Sequence, residues 1–163
     1  MKVSIRTKKN ATLTPFERNV IREAALFYGE TLMSKRITDN LEIRINLHNQ
    51  YLKNHGYLGD TMPLDCDDGY RPRVFEINLD RTKRLKTIVF TLGHEFIHVK
   101  QFAKGELKDG KRGNKTIFHK IKFDDENISY WDCPWEIEAY GKECGLWQKF
   151  KPIYKYLHRE NRK

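Results

Sequence analysis

The sequence predicts an α+β protein in which a small mixed sheet packs on helices, in a single domain over residues 1–163. Three short segments alternate apolar and polar residues, as strands with one buried face do. Two long segments instead repeat apolar residues at helical spacing. Their order along the chain is that of an α+β domain, and 163 residues are enough to bury one core.

The N-terminal part is expected to form two strands with a helix between them. Residues 2–7 and 41–47 alternate Val, Ile or Leu with polar residues, which predicts the strands. Residues 14–17 (T-P-F-E) combine an N-cap threonine, a proline in the first turn and a capping-box glutamate. A helix should therefore begin there and run to about Lys35.

The next segment, residues 48–72, holds several glycines and prolines and is expected to be mostly loop. Within it, D-C-D-D-G at 65–69 resembles a calcium-binding loop. Its glycine comes one position too early for an EF-hand, and no glutamate follows at the required place, so a calcium site is not expected. Residues 73–79 alternate again and predict a third strand.

The central helix is expected to open at Asp80 or Thr82 and to end at Gly105 and Gly110. It carries the motif H-E-x-x-H at residues 94–98, inside a nearly continuous apolar run. A helix with such flanks should lie at the centre of the fold.

The C-terminal part is expected to add a strand and a long helix. Residues 115–123 predict a strand or half of a hairpin. Residues 132–134 (D-C-P) indicate a helix start. That helix should run to about Lys151, where Pro152 breaks or kinks it.

The H-E-x-x-H motif predicts a metal site. Its two histidines, His94 and His98, are one helical turn apart, about 40° around the axis, so both imidazoles can reach one ion. Glu95 lies between them and can act as a base on a metal-activated water. Buried polar side chains of this kind would be hard to satisfy without a metal. The predicted cofactor is Zn²⁺.

A catalytic zinc site needs a third protein ligand. On the C-terminal helix, advancing about 100° per residue, Glu136 falls in the middle of the apolar face and Glu138 points to water. Glu136 is therefore the predicted ligand. Glu143 lies on the same face two turns on, either at a surface edge or as a partner of a ligand. Eight downstream residues have side chains that can bind zinc: His119, Asp124, Asp125, Glu126, Cys133, Glu136, Glu138 and Glu143.

The motif at 94–98, followed by a helix with E-x-x-A at 136–139, resembles the gluzincin zinc peptidases. It is similar in particular to small metallopeptidases of phages and bacteria and to minigluzincins. The resemblance implies a zincin-like fold, with Zn²⁺ held by His94, His98 and Glu136. It also implies that an edge strand ahead of the metal helix binds an extended peptide, and residues 73–79 are placed for that role.

The sequence departs from the gluzincin pattern at Tyr140. The family commonly has an aspartate there, four residues after the ligand glutamate, which holds the first histidine. Support for His94 must then come from elsewhere in this chain. There is also some likeness to SprT-type proteases, which act near DNA. Those use a third histidine and often a cysteine-rich ribbon, and neither is clear here.

Other residues are candidates for supporting roles. Tyr140, on the zinc-facing side of its helix, is taken as the catalytic hydrogen-bond donor for the oxyanion, with Tyr130 and His119 as alternatives. Gln101 is expected either to bond a ligand or substrate or to be a polar residue at an exposed helix end. Two tryptophans are expected to pack in the core rather than to line a specificity pocket: Trp131 and Trp135.

Composition limits the compartment and the partners. The net charge of +9 favours either a solvated surface or affinity for an acidic partner such as nucleic acid. Three cysteines without C-x-x-C spacing argue against a disulfide framework. With no signal-peptide core and no apolar stretch long enough for a bilayer, a cytoplasmic protein with no membrane partner is expected, in the host cell if phage-encoded.

The expected function is therefore zinc-dependent peptide-bond hydrolysis, a metalloendopeptidase activity on a peptide or protein, with Glu95 as general base. The alternative is a basic nucleic-acid-associated or host-factor-binding protein whose zinc site is structural or vestigial. An intact Glu95 favours catalysis, because a purely structural site closes its fourth position and needs no base.

Overall fold

The computed structural model describes residues 1–8, 11–66, 71–109 and 115–163 of the chain. Its helices and mixed sheet confirm the α+β class that the sequence predicts. Two sequence-based expectations lie outside the described residues: Gly110 as a helix end, and the greater part of the D-C-D-D-G loop, residues 67–69. No described helix combines the length and apolar character that crossing a bilayer requires.

The larger sheet has four strands among the described residues: β1 (Lys2–Thr7), β2 (Glu42–His48), β3 (Gly59–Pro63) and β4 (Val74–Asp80). Their order is β1-β2-β4-β3, with β1, β2 and β4 parallel and β3 antiparallel to β4. The register aligns Ile5, Ile45 and Ile77 across the three parallel strands, and all three are buried. This apolar row is the sheet's face toward the helices.

The helices α1 (Pro15–Leu32) and α4 (Leu85–Lys104) lie on that face, and the long helix α5 (Pro134–Glu160) packs on both of them. The short helix α2 (Lys35–Thr38) precedes β2, and α3 (Tyr51–His55) follows it. The predicted capping box is present, since Thr14 Oγ1 accepts from the amide of Glu17 at 3.1 Å and Glu17 accepts from the amide of Thr14 at 3.0 Å. The helix α1 ends at Leu32 because Met33 turns to extended backbone and is buried.

The helix α4 lies at the centre of the core, as predicted. Gly93 lets it approach α1, since a Cβ there would lie 3.3 Å from the Tyr28 ring. The predicted start at Asp80 or Thr82 is wrong. The Asp80 carboxylate instead accepts from the amides of Leu52 and Thr82 at 2.7 and 2.8 Å, which fixes a turn before the helix. Gly105, with φ +72°, ends the helix as expected.

The prediction that residues 48–72 are mostly loop is wrong in part, because the segment contains α3 and β3. The β3 sequence, G-D-T-M-P, has no apolar alternation, so only its pairing with β4 makes it a strand. Gly59 permits this pairing, since a Cβ there would lie 2.9 Å from the Asn78 carbonyl oxygen. Asp65 accepts from the amides of Arg73 and Val74, so its carboxylate holds the start of β4.

The strand predicted over 115–123 is a hairpin, β6 (Lys115–Phe118) and β7 (Ile121–Asp124), with β5 (Leu107–Asp109) paired to β6. His119 and Lys120 form its turn, both with positive φ. The prediction that the last helix ends at about Lys151 is wrong, because α5 continues through Pro152 to Glu160. Pro152 and Gln148, the residue four positions earlier, are both exposed, so water can replace the lost hydrogen bond.

Candidate metal centre

The three predicted ligands meet in one place, between α4 and α5. His94 Nε2 and His98 Nε2 are 3.2 Å apart. Glu136 Oε2 lies 3.4 Å from His94 Nε2, and Glu136 Oε1 lies 3.4 Å from His98 Nε2. Each of the three residues is only 9% exposed. Four ligands placed about 2.0–2.1 Å from a tetrahedral ion are about 3.3 Å from one another. The observed spacing therefore fits a single zinc-sized ion.

Hydrogen bonds at the outer nitrogens set the tautomers of both rings. His94 Nδ1 lies 2.9 Å from a carboxylate oxygen of Glu143, and His98 Nδ1 lies 2.8 Å from the amide oxygen of Gln101. Both partners are acceptors, so each Nδ1 carries the proton and donates it. Each Nε2 is left with a lone pair, and both lone pairs point to the same spot beside Glu136.

The three side chains favour a positive charge between them. Burial acts to lower the pKa of His94 and of His98, but the hydrogen bonds and charge of Glu136 and Glu95 outweigh it and raise both. Burial likewise acts to raise the pKa of Glu136, but its bonds to the two imidazoles hold it well below its usual range. A carboxylate facing two nitrogen lone pairs is stable only with a proton or a metal between them. Two imidazole nitrogens and one carboxylate are a donor set that suits Zn²⁺.

Gln101 is fully buried and serves as a bonding partner of a ligand, the first of its two sequence-based alternatives. Its amide nitrogen donates to Glu138 at 2.9 Å and to the carbonyl of Trp135 at 2.9 Å. These two acceptors orient the amide so that its oxygen faces His98. Groups of α5 thus orient Gln101 of α4, and Gln101 in turn orients the His98 ring.

The prediction that Glu138 points to water is wrong. Lys100, itself buried, donates to Glu138 at 2.6 Å and lies 2.5 Å from Glu106. Burial acts to raise the pKa of Glu138, but the bonds from Lys100, Lys142 and Gln101 lower it to about 2. A helical wheel treats α5 alone, and it cannot show that a lysine of α4 covers this side.

A second acidic cluster lies beside this ion pair. Ligand atoms of Glu106, His119 and Glu138 are within 4.8 Å of one another. The ammonium of Lys100 pairs with both carboxylates of this cluster and so offsets part of their negative charge. His119, expected as an alternative oxyanion donor, belongs to this cluster and is not among the residues that line the cavity at the ligand trio.

The predicted base, Glu95, is 3% exposed and borders the same cavity as the ligands. Its carboxylate accepts a hydrogen bond from Thr61 Oγ1 at 2.9 Å. Burial raises the pKa of Glu95, which makes its carboxylate a stronger base. Thr61 was not predicted as a site residue, because the strand that carries it has no recognisable pattern in the sequence.

The predicted donor Tyr140 lies at the cavity, with its ring edge-on to His94 at 4.7 Å between centroids. Its hydroxyl is 3.4 Å from that of Tyr130. Tyr130 in turn donates to the ligand Glu136 at 2.8 Å. The two tyrosines therefore differ: Tyr130 gives its one hydroxyl proton to the predicted ligand Glu136, so Tyr140 is the donor in the long contact between the two hydroxyls. The gluzincin pattern would place an aspartate at position 140 to bond the first histidine. In this chain Glu143, one turn further on, bonds His94 instead.

A cleft of about 840 Å³ runs over the ligands and Glu95. One wall is β3 with the residues before it, including Tyr57 and Asp60, and the other is the 3₁₀ turn Tyr130–Asp132 and the start of α5. The prediction that the two tryptophans pack in the core is wrong: Trp131 is 67% exposed, and Trp135 lies outside the core cluster. Trp135 packs on Phe118 and Phe123 and also lines the cleft.

The strand that borders the cleft is not the predicted one. Residues 73–79 were expected to be the edge strand, but β4 lies between β2 and β3, and β3 is the edge. The hydrophobic alternation of β4 indicates a strand but not its place in the sheet. Among the described residues, no Lys or Arg lines the cleft. Four carboxylates do: Asp60, Glu95, Glu136 and Glu143.

Comparisons of this chain with protein families, with curated proteins and with solved structures find no match. The interpretation of the site therefore depends on its own geometry and on the chemistry of its donors.

Proposed function

We propose that this chain is a zinc-dependent metalloendopeptidase of the gluzincin type, with a zincin-like fold. The observation that carries the proposal is the buried trio of His94, His98 and Glu136, whose ligand atoms are 3.2–3.4 Å apart, with Glu95 next to it in an open cleft. A structural zinc site would be closed by a fourth protein ligand. Here the fourth side is the cleft, which suits a catalytic site.

A Zn²⁺ ion bound by the trio would supply the Lewis acidity that activates water and polarises a carbonyl. The chain's own residues do the rest. Glu95 takes the proton of the attacking water and delivers it to the leaving amine. Tyr140 donates a hydrogen bond to the oxygen that becomes negative as the carbonyl is attacked. Glu143 and Gln101 keep the two imidazoles in the tautomer that presents Nε2.

The cleft supports a polypeptide as the substrate. The edge strand β3 offers backbone groups to an extended peptide, which can add as a further strand. The exposed aromatic rings of Tyr57, Trp131 and Tyr140 offer apolar surface to its side chains. Because the described lining has four carboxylates and no Lys or Arg, it does not attract the phosphates of nucleic acid.

The alternative, a nucleic-acid-associated protein with a structural or vestigial zinc site, has support elsewhere on the surface. Helix α5 exposes Lys149, Lys155 and Arg159, away from the cleft. If this surface binds nucleic acid, affinity should fall steeply as salt increases. A flat salt response would remove this alternative.

The proposal is tested with the zinc-loaded full chain and its Glu95→Gln variant, on an unfolded protein substrate such as reduced casein. We expect cleavage by the wild type, its loss on chelation and its return with zinc. Glu95→Gln should bind zinc equally and cleave about 10²- to 10⁴-fold more slowly, since it lacks only the base. Cleavage undiminished in this variant, or zinc lost from it, would contradict the assigned role.

A further inference from the structure

Thr61, on the edge strand β3, contacts the proposed base directly. Its hydroxyl is 2.9 Å from Glu95 Oε2 and 3.2 Å from the backbone carbonyl oxygen of the same residue. An ionised carboxylate only accepts hydrogen bonds, so the hydroxyl is the donor. The bond joins a strand at the sheet's edge to a helix residue 34 positions later in the chain.

Three consecutive residues fix β3 at the distance this bond needs. A Cβ on Gly59 would lie 3.0 Å from the Thr91 methyl of α4, so only a glycine lets the strand come so close to the helix. Asp60 accepts from Tyr51 at 2.6 Å and from Asn78 at 2.8 Å on the other side. Thr61, pointing the same way as Gly59, then reaches Glu95.

We propose that Thr61 is a positioning residue for Glu95, holding one carboxylate oxygen so that the other faces the water to be activated. The inference depends on the proposed function and deepens it. A glutamate side chain has three rotatable torsions, and its base function needs a fixed orientation toward the reacting water. Thr61 supplies that orientation from outside the motif.

The strand β3 connects peptide binding to the orientation of the base. The backbone of β3 is the edge to which the proposed peptide adds, and a side chain of β3 orients the base. Substrate pairing therefore restrains the same strand that places Glu95. Loss of the Thr61 hydroxyl should impair the chemical step more than peptide binding, because the backbone edge is unchanged.

The first test uses Thr61→Val, which keeps the shape and removes the hydroxyl, and Thr61→Ser, which keeps the hydroxyl. In the zinc-loaded chain, we expect Thr61→Val to lower kcat about 10- to 100-fold with KM and zinc content unchanged. Thr61→Ser should recover most of the wild-type kcat. The matched control is Thr7→Val on β1, at the opposite edge of the sheet, which should leave kcat as in the wild type. A kcat for Thr61→Val within twofold of the wild type overturns the inference, as does a Thr61→Ser variant no better than Thr61→Val.

The second test needs neither zinc nor turnover. A double-mutant cycle of Thr61→Val and Glu95→Ala is measured by urea unfolding of the metal-free protein. We expect the two changes to be coupled by about fivefold or more in the unfolding equilibrium constant. Strictly additive effects would overturn the inference even if the chain cleaves peptides. Coupling together with an inactive wild type would reject the protease proposal while the contact between Thr61 and Glu95 stands.

Discussion

Removing the Glu143 carboxylate should weaken zinc binding although Glu143 does not reach the metal position. Its oxygen lies 2.9 Å from His94 Nδ1, and its side chain is only 17% exposed. Without it, His94 can rotate or shift its proton to Nε2, the atom that must coordinate. Loss of such a partner typically costs 10- to 100-fold in metal affinity, or about 1.4–2.7 kcal/mol. We expect Glu143→Ala to lose zinc affinity within this range.

The assay is competition between the metal-free protein and a chromophoric zinc chelator of known affinity. The control is Glu160→Ala on the same helix, where the glutamate pairs with Lys163 near the C-terminus. That variant should bind zinc as the wild type does. Glu143→Gln should fall between the two, since an amide oxygen can still accept from Nδ1 but carries no charge. An affinity for Glu143→Ala within twofold of the wild type would refute the assigned role of Glu143.

Two further predictions concern the supports of the site. The pKa of Glu138 is held at about 2, below its ordinary 4.5. Its ion pair with Lys100 should therefore stabilise the fold fully above about pH 4.5, and this stabilisation should be lost as the pH falls to about 2. Urea unfolding of Glu138→Gln should therefore show less loss of stability across this window than the wild type, and parallel curves would contradict the prediction. Gly59→Ala should push β3 away from Thr91, destabilise the protein by about 1–3 kcal/mol and lower kcat. A variant with wild-type melting temperature and kcat would show that this close approach does not matter.

The sequence predicts the site better than it predicts the sheet edge. The spacing within residues 94–98 and the helical wheel around Glu136 both follow from the regular geometry of helices, which local sequence determines. The same geometry puts Glu143 on the ligand face, though its bond to His94 depends on how α4 and α5 pack. The meeting of His94, His98 and Glu136 in one place could therefore be predicted from the sequence, whereas their roles stay a prediction.

The errors come from contacts between elements. Strand β3 has no hydrophobic alternation, and it exists because Gly59 lets the chain pair with β4. Glu138 turns inward because Lys100 of α4 meets it. Trp131 lies exposed at the cleft, where its ring is tilted against that of Tyr140, and not in the core. None of these neighbours is close in sequence, so local patterns give no signal for them.

Zinc titration of the metal-free full chain by calorimetry, beside the Glu136→Ala variant, shows whether His94, His98 and Glu136 form one metal site. We expect one Zn²⁺ per chain for the wild type, and an affinity weaker by about 100-fold or more for the variant, which loses a direct ligand. Failure of the wild type to bind one equivalent of zinc would contradict the account, as would undiminished binding by Glu136→Ala.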